Sequence, residues 1–239
     1  MYKRIILKLS GETLAPEKVS ETNGSHSFDA ARVDRAAKAI VDLHDLGVQV
    51  GVIMGGGNIW RGRFTDAMDP ELADQMGMLA TVLNALAVED AILRLGRGAK
   101  VFTAQEMTRF ADLYRADRAA EAMEKGDIVL IAGGSGNPFC TTDFAAALRA
   151  AELRADAVFK GTTVDGVYTA DPHKDPTATL IRDITYRETI ERGLRVMDTS
   201  AFQLCLDHDI PCIRIFNMDD LDNIIRVAKG DDLGTIVHR

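Results

Sequence analysis

The chain contains little of what marks secreted, membrane or disulfide-stabilised proteins. Its 239 residues include three cysteines, and Cys140, Cys205 and Cys212 match neither a zinc-ligand spacing nor a disulfide framework. We interpret them as reduced thiols of a cytosolic protein. The apolar run in the N-terminal "MYKRIILKLSGE" is too short for a signal peptide, and no membrane span follows it. The sequence therefore predicts a cytoplasmic protein that does not bind a membrane.

Basic residues and histidines are also scarce. The 28 Lys and Arg residues are outnumbered by 36 Asp and Glu residues, which gives a formal net charge of −8. Because the chain has no basic stripe, we exclude nucleic acid as a partner. The five histidines show no metal-ligand spacing, no Ser-His-Asp order and no H-E-x-x-H motif. Any polyanion that the protein binds must therefore be small and held by a few local cations.

Strand-like apolar runs alternate with helical patterns along the whole chain. The predicted strands are Arg4–Leu9, Val48–Met54, Lys100–Thr103, Asp127–Ala132, Asp156–Lys160, Cys212–Phe216 and Thr235–His238. The predicted helices are Asp29–Leu46, Glu71–Leu95, Arg118–Lys125, Asp143–Leu153 and Leu221–Ala228, with a polar loop over Gly161–Thr179 and two short helices after it. This order predicts one α/β domain over residues 1–239, in which helices flank a central, mostly parallel sheet in a three-layer sandwich.

Small polar motifs follow four of the predicted strands. They are "LKLSGE", "GGGN", "AGGSGNPFCTTD" and "KGTTVDGVYTADP". The carboxyl ends of parallel strands meet at one edge of a sheet, and ligands of such sheets bind there. The four motifs together predict one shared ligand pocket.

The motif "VIMGGGNIWRG" has three consecutive glycines, which carry no side chain, where a predicted buried strand ends. A tight turn is one explanation of Gly55–Gly57, but a turn rarely needs three glycines. Backbone N–H groups without Cβ atoms can approach an anion closely. Neither the G-x-G-x-x-G fingerprint nor the Walker A motif is present, so the loop indicates an anion site without naming the nucleotide. Arg61 follows closely enough for its guanidinium to reach the same ligand.

Two lysines lie at predicted strand ends. Lys8 precedes Ser10 and Gly11, and Lys160 precedes Gly161. Solvent exposure by strand alternation would explain a single lysine. Two lysines at the same edge of the sheet, together with Arg61, instead predict three cations around one polyphosphate.

The motif "GGSGNPFCTTD" ends at the start of a predicted helix. Helix capping accounts for its Thr and Asp residues. Capping does not account for the glycines at 133–136 or for the ring of Phe139 beside Asn137 and Pro138. A ligand with an anionic end at the helix N-terminus and a planar end against the loop would explain both.

These motifs stand in the order that bacterial uridylate (UMP) kinases of the amino-acid-kinase fold show. The chain resembles that family through "KLSGE", "GGGN…RG", "DQMGMLAT", "SGNPFCTTD", "TTVDGVYTADPHKDPTA" and "VMD" over nearly all of its length. "DQMGMLAT" and "GNPFCTTD" are specific to the subfamily, whereas "KLSG" and "DGVYTADP" also occur in acetylglutamate, aspartate and carbamate kinases. The resemblance implies transfer of a phosphoryl group from ATP to UMP with Mg²⁺, a homohexamer and feedback inhibition by UTP.

The resemblance also implies a set of site residues, with the N-terminal half contributing mainly to the UMP site and the C-terminal half mainly to the ATP site. The implied catalytic residues are Lys8, Arg61, Lys160, Asp143 and Asp198, of which the two aspartates orient the lysines and the metal without an assigned metal ligand. The implied ATP-binding residues are Lys8, Leu9, Ser10, Gly11, Gly57, Arg61, Thr162, Tyr168 and Asp171. The implied UMP-binding residues are Gly56, Asp74, Ser135, Gly136, Asn137, Pro138, Phe139, Cys140, Thr141 and Thr142.

The sequence shows no obvious catalytic His or Glu, and the implied reaction does not need a general base. An oxygen of the UMP phosphate is already ionised near neutral pH, so transfer needs positioning and charge stabilisation only. Two alternatives remain: a kinase of the same fold that phosphorylates a carboxylate or carbamate, and a non-catalytic sensor or oxoanion-storage protein. Asp74 with "GNPFCTTD" favours UMP over the first alternative. The presence of Lys8, Arg61 and Lys160 disfavours the second.

Overall fold

The computed structural model describes residues 2–16, 27–61, 68–194 and 196–239. Within these ranges the strands are β1 (Arg4–Leu9), β2 (Gln49–Met54), β3 (Ala99–Thr103), β4 (Asp112–Leu113), β5 (Ile128–Ala132), β6 (Ala157–Thr162), β7 (Val167–Tyr168), β8 (Leu180–Ile181), β9 (Asp183–Thr185), β10 (Cys212–Asn217) and β11 (Thr235–His238). The α-helices are α1 (Ala30–His44), α2 (Pro70–Arg94), α3 (Ala116–Glu124), α4 (Thr142–Leu153), α5 (Tyr186–Glu191), α6 (Thr199–Asp207) and α7 (Asp222–Lys229), and a 3-10 helix covers Gly11–Leu14.

Nine strands form one sheet in the order β4-β3-β5-β2-β1-β6-β10-β11-β9. Every neighbouring pair is parallel except β10 and β11. Helices α1, α2 and α7 contribute to the apolar cluster on one face of the sheet, and α3 to α6 contribute to the cluster on the other face. The predicted three-layer α/β sandwich is confirmed.

Strand β1 lies in the middle of the sheet, between β2 and β6. Its run of Ile5, Ile6 and Leu7 is fully buried, because helices cover both faces of the sheet. The register pairs Lys8 with Ile53 on β2 and with Lys160 on β6. The two predicted strand-end lysines are therefore neighbours across a strand pair.

Helix starts follow the capping residues in the sequence. The Asp29 side chain accepts a hydrogen bond from the Arg32 amide at 3.0 Å and caps α1. The Thr141 hydroxyl accepts from the Phe144 amide at 3.2 Å and caps α4. Thr185 and Glu188 form a reciprocal capping box on α5. The caps of α1 and α4 agree with the predicted starts of these helices.

The shortest elements depart from the prediction. The polar loop predicted over Gly161–Thr179 is wrong in part, since β6 continues to Thr162 and β7 pairs antiparallel with β8. The strands β4 and β9 were not predicted, and α3 begins at Ala116 rather than at Arg118. Strands of two or three residues are too short to show an alternating pattern, so tertiary pairing defines them.

Helix α2 turns an apolar stripe away from the chain's own core. The helix itself is confirmed, but Leu72, Met76, Leu79 and Leu83 are 39–54% exposed. These four side chains lie outside the core, because the buried face of α2 carries mainly alanine and valine, which allow close packing. By length and composition α2 alone among the described helices could span a membrane, and 44% of its most apolar window is buried inside the fold.

Candidate active site at the carboxyl ends of the strands

Two lysines share one aspartate at the centre of the site. Lys8 Nζ on β1 lies 3.0 Å from Asp143 Oδ1, and Lys160 Nζ on β6 donates to Asp143 Oδ2. All three side chains are 8–15% exposed. Asp143 is in the first turn of α4, which begins above the ends of β1 and β6. The structure therefore brings three of the predicted catalytic residues into direct contact.

The electrostatics of this cluster are set by burial and by mutual attraction. Burial alone would raise the pKa of Asp143, but the ammonium groups of Lys8 and Lys160 outweigh it and hold the pKa below its ordinary value. The pKa of Lys160 is lowered, first by burial and second by the charge of Lys8, against the opposing pull of Asp143. Two ammonium groups thus share one carboxylate in direct contact, and this contacting set has an excess of positive charge that suits a phosphate ligand.

The glycines of the first two strand ends allow two loops to touch. A Cβ atom on Gly11 would lie 2.6 Å from the Gly55 carbonyl oxygen. The side-chain amides of Asn58 and Asn84 exchange hydrogen bonds at 3.0 and 2.8 Å, and Asn84 also donates to the Gly55 carbonyl at 2.6 Å. Asn84 is fully buried on α2. The glycine-rich corner after β2 is thus fixed by a buried amide, and its shape is set before any ligand binds.

A cavity of about 580 Å³ opens beside the lysines. Of the predicted ATP residues it is lined by Leu9, Ser10, Gly57, Arg61 and Thr162. Its volume and its position at the strand ends suit a nucleotide. The lining does not include the four other residues that were predicted to bind ATP, which are Lys8, Gly11, Tyr168 and Asp171. Tyr168 lies on β7, and Asp171 accepts a hydrogen bond from the His173 amide at 3.0 Å.

Arg61 is held at the mouth of this cavity by local contacts. Its Nε donates to the Gly57 carbonyl at 2.8 Å, and its terminal nitrogen pairs with Glu12. Both side chains are about half exposed, 49% for Arg61 and 52% for Glu12. A phosphate that binds Arg61 must therefore compete with Glu12, a residue that the sequence analysis did not single out.

The predicted UMP residues gather on the other side of the glycine corner. We call residues 133–142 the UMP loop, because they carry every residue assigned to UMP except Gly56 and Asp74. Asp74 Oδ2 on α2 accepts a hydrogen bond from the Phe139 amide at 2.7 Å. A Cβ atom on Gly56 would lie 2.7 Å from the Gly77 carbonyl oxygen, so Gly56 packs against the same helix. Helix α2 thus joins Gly56, Asp74 and the UMP loop.

The far end of the UMP loop meets the remaining predicted catalytic aspartate. The Thr141 hydroxyl donates to Asp198 Oδ2, and Asp198 is the residue before α6. Asp198 also interacts electrostatically with Lys160. Phe139 is 72% exposed and Cys140 is an exposed free thiol, so this part of the UMP loop faces solvent. Asp198 therefore links the predicted UMP residues to the lysine cluster.

The comparisons with known proteins show the family of the chain. The model of the amino acid kinase family matches residues 3–217. A protein named uridylate kinase from Bacteroides thetaiotaomicron is 47% identical over 239 residues, which cover 99% of this chain and 98% of the relative. The chain belongs to the bacterial uridylate kinases of the amino acid kinase family.

Solved structures of the family share the whole fold. The structure of UMP kinase from Bacillus anthracis superposes with a TM-score of 0.92 at 32% identity and covers 99% of this chain and 96% of its own. UMP kinase from Ureaplasma parvum gives a TM-score of 0.90 at 34% identity with complete coverage of both chains. The fold class that the resemblance implied is therefore confirmed over the full length.

Some residues that shape the site carry no motif signal. Asn84 and Arg149 lie inside helices, and a single polar residue in a helix is commonly a solvated one. Their position on otherwise alanine-rich buried faces is the signal that could have identified them, since a polar residue there needs a partner.

Proposed function

We propose that Lys8, Lys160 and Asp143 form the phosphoryl-transfer centre of a UMP kinase, which makes UDP and ADP from UMP and ATP in pyrimidine nucleotide biosynthesis. The observation that carries this proposal is the contact of both lysines with Asp143, between the 580 Å³ cavity and the UMP loop. A cation pair in that position lies where the γ-phosphoryl group would pass from one nucleotide to the other.

In this reaction a UMP phosphate oxygen attacks the γ-phosphorus of ATP. The bond between that phosphorus and the bridging oxygen breaks, and ADP leaves with the bonding electron pair. The attacking oxygen is already ionised, so no side chain needs to remove a proton. Lys8 and Lys160 stabilise the charge on the transferring group, and Asp143 holds both ammonium groups in place.

The two nucleotides take different sides of this centre. We assign ATP to the cavity lined by Ser10, Gly57, Arg61 and Thr162, and UMP to Gly56, Asp74 and the UMP loop. Asp74 is suited to a ribose hydroxyl, because its carboxylate accepts hydrogen bonds and is already fixed by the Phe139 amide. Both nucleotides bind within a single domain over residues 1–239, and the predicted division between its halves does not match these assignments. Ser10, Gly57 and Arg61 belong to the N-terminal half, and the UMP loop belongs to the C-terminal half.

The carboxylates of the site suit a Mg²⁺ ion that arrives with ATP. Among the described residues no group of three or more His, Cys, Asp or Glu side chains could hold a metal by itself. Mg²⁺ bound to nucleotides usually takes one or two protein carboxylates and the phosphates. Asp143 is committed to two lysines, so Asp198 is the carboxylate that we assign to it. When bound, the ion neutralises negative charge on the ATP phosphates.

We also propose a cytoplasmic homohexamer that UTP inhibits, as the resemblance implies. The exposed stripe of Leu72, Met76, Leu79 and Leu83 on α2 supports self-association, because four large apolar side chains along one helix face favour a protein contact over water. Sedimentation velocity checks the assembly, and UTP titration into the kinase reaction checks the inhibition.

The decisive experiment is a direct phosphotransfer assay. The purified protein is incubated with ATP, Mg²⁺ and one acceptor at a time from the set UMP, CMP, acetylglutamate and aspartate. We expect UDP and ADP to form in equal amounts with UMP. Turnover of an amino acid alone would contradict the proposal, and nucleotide binding without turnover would indicate a sensor.

A further inference from the structure

A buried arginine lies directly beneath the UMP loop. Arg149 on α4 is 4% exposed, and its Nη2 donates to the carbonyl oxygens of Gly134 at 3.3 Å and Ser135 at 3.4 Å. Its Nη1 donates to Glu152 Oε2 at 2.8 Å. The guanidinium carbon lies 4.1 Å from the centre of the Tyr114 ring, in cation–π geometry. Arg149 is therefore held from two sides and presents one nitrogen to the loop.

The backbone of this part of the UMP loop is hydrogen-bonded by groups outside the loop, in addition to the bond from the Gly136 amide to the Gly133 carbonyl at 3.1 Å. Gly133, Gly134 and Gly136 have φ angles of +77°, +62° and +92°, which regular strands and helices do not use. The Gly133 amide donates to the Thr81 hydroxyl at 2.8 Å, and the Gly136 carbonyl accepts from the Gln105 side chain at 2.7 Å. Arg149 supplies the side-chain donor for the two carbonyls that lie between these contacts.

Burying a guanidinium at this position has a cost that apolar packing would not incur. The neighbouring face of α4 is filled by Ala145, Ala146 and Ala150, so a small apolar residue fits the local packing pattern. A buried charge is unfavourable unless it is paired and hydrogen-bonded. Glu152 pairs with Nη1 and the loop carbonyls accept from Nη2, whereas the buried Nε has no hydrogen-bond partner among the described residues. Compared with a small apolar residue at this position, the arginine provides the hydrogen bonds to the loop carbonyls.

We propose that Arg149 is a positioning residue for UMP. It contacts no reacting atom, and it acts through the carbonyls of Gly134 and Ser135 to fix the backbone from which residues 135–142 reach the nucleotide. This inference rests on the assignment of UMP to that loop. It predicts an effect on UMP affinity that is separate from the phosphoryl-transfer step and from ATP binding.

The test variant is Arg149→Lys, which keeps the charge and removes the planar fork that reaches two carbonyls. We expect the KM for UMP to rise about tenfold, the size of one lost charge-assisted hydrogen bond, with kcat and the KM for ATP within about twofold of the parent. Amide hydrogen exchange of residues 134–139 in the free protein should become about tenfold faster, and α4 should stay protected.

Arg214→Lys is the matched control. Arg214 is another buried arginine, 9% exposed, whose Nη2 donates to the carbonyls of Asp231 at 3.1 Å and Leu233 at 3.0 Å, in a different loop. This variant should lower thermal stability to a similar extent and leave the KM for UMP unchanged. If Arg149→Lys does not fold, Glu152→Gln retains the arginine without its counter-charge, and a smaller selective rise in the KM for UMP is expected.

Three outcomes are separable. An unchanged KM for UMP in the folded variant overturns the inference. A fall in kcat or a rise in the KM for ATP of the same size as the rise in the KM for UMP also overturns it, because it would show a general structural role. A parent protein that does not phosphorylate UMP overturns the proposed function instead. In that case the exchange rates of residues 134–139 still decide whether Arg149 restrains the loop.

Discussion

Lys8 and Lys160 occupy paired positions on the neighbouring parallel strands β1 and β6, and their ammonium groups share the carboxylate of Asp143. The two ammonium groups repel each other, and the carboxylate that they share compensates only part of that repulsion. A second anion is therefore favoured at the same place. This relationship gives the protein a site prepared for the charge of a phosphoryl group before any nucleotide arrives.

Removing either lysine should slow the reaction far more than it weakens binding. We expect Lys8→Ala and Lys160→Ala each to reduce kcat by about 10²- to 10³-fold, because a preorganised charge is lost from the transition state. Steady-state kinetics with UMP and ATP measure this. Lys38→Ala is the control, since Lys38 is 61% exposed and pairs with Asp42 one turn away in the same helix. A loss below about threefold in both lysine variants would contradict the assignment.

The pH dependence of the reaction should reveal the lowered pKa of Lys160. Burial and the charge of Lys8 place this pKa below the ordinary lysine value of 10.5. The ammonium form is the active one, so kcat/KM should decline as the pH rises through that lowered value. In Lys160→Arg the guanidinium stays charged, and the alkaline decline should move to higher pH. Superimposable alkaline limbs in parent and variant would refute this explanation.

Asp74 should affect UMP and not ATP. We expect Asp74→Asn to raise the KM for UMP about tenfold, because the variant loses a charged acceptor that also binds the Phe139 amide. Initial rates at varied UMP and at varied ATP separate the two effects. Glu71→Gln, a charge removal on the exposed first turn of the same helix, is the control. A rise in the KM for ATP of the same size would contradict the assignment of Asp74 to the UMP site.

The two adjacent glycines of the corner after β2 should respond differently to a methyl group. In Gly56→Ala the new Cβ would lie 2.7 Å from the Gly77 carbonyl oxygen and 2.8 Å from Ala80 Cβ, so backbone must shift. We expect a loss of about 1–3 kcal/mol in the free energy of unfolding. In Gly57→Ala the nearest atom is Arg61 Nε at 3.8 Å, and a change within about 0.5 kcal/mol is expected. Urea unfolding measures both, and equal losses would contradict the packing argument.

Local sequence patterns were sufficient for the long elements. Strand β1 matches its predicted bounds because its apolar run is buried on both faces, and α1 and α4 begin at their capping residues Asp29 and Thr141. The two-residue strands β4, β7 and β8 could not be predicted, since two residues are too few to show an alternating pattern and only the pairing with a neighbouring strand defines them. The exposure of the apolar stripe on α2 that includes Leu72 could not be predicted either, because the periodicity of a helix does not say which of its faces packs against the core.

For the site, the sequence alone determined which residue types stand at each strand end: lysines, glycines and the run from Ser135 to Thr142. Only the tertiary structure decided that β1 and β6 are neighbours and that Asp143 lies between their lysines. It alone also set the pKa directions of Lys160 and Asp143 and placed Arg149 beneath the UMP loop. The physical reason is that strand order, burial and charge coupling depend on which elements pack together in space. Lys8 and Asp143 are more than a hundred positions apart in the chain, and no local pattern records that they meet.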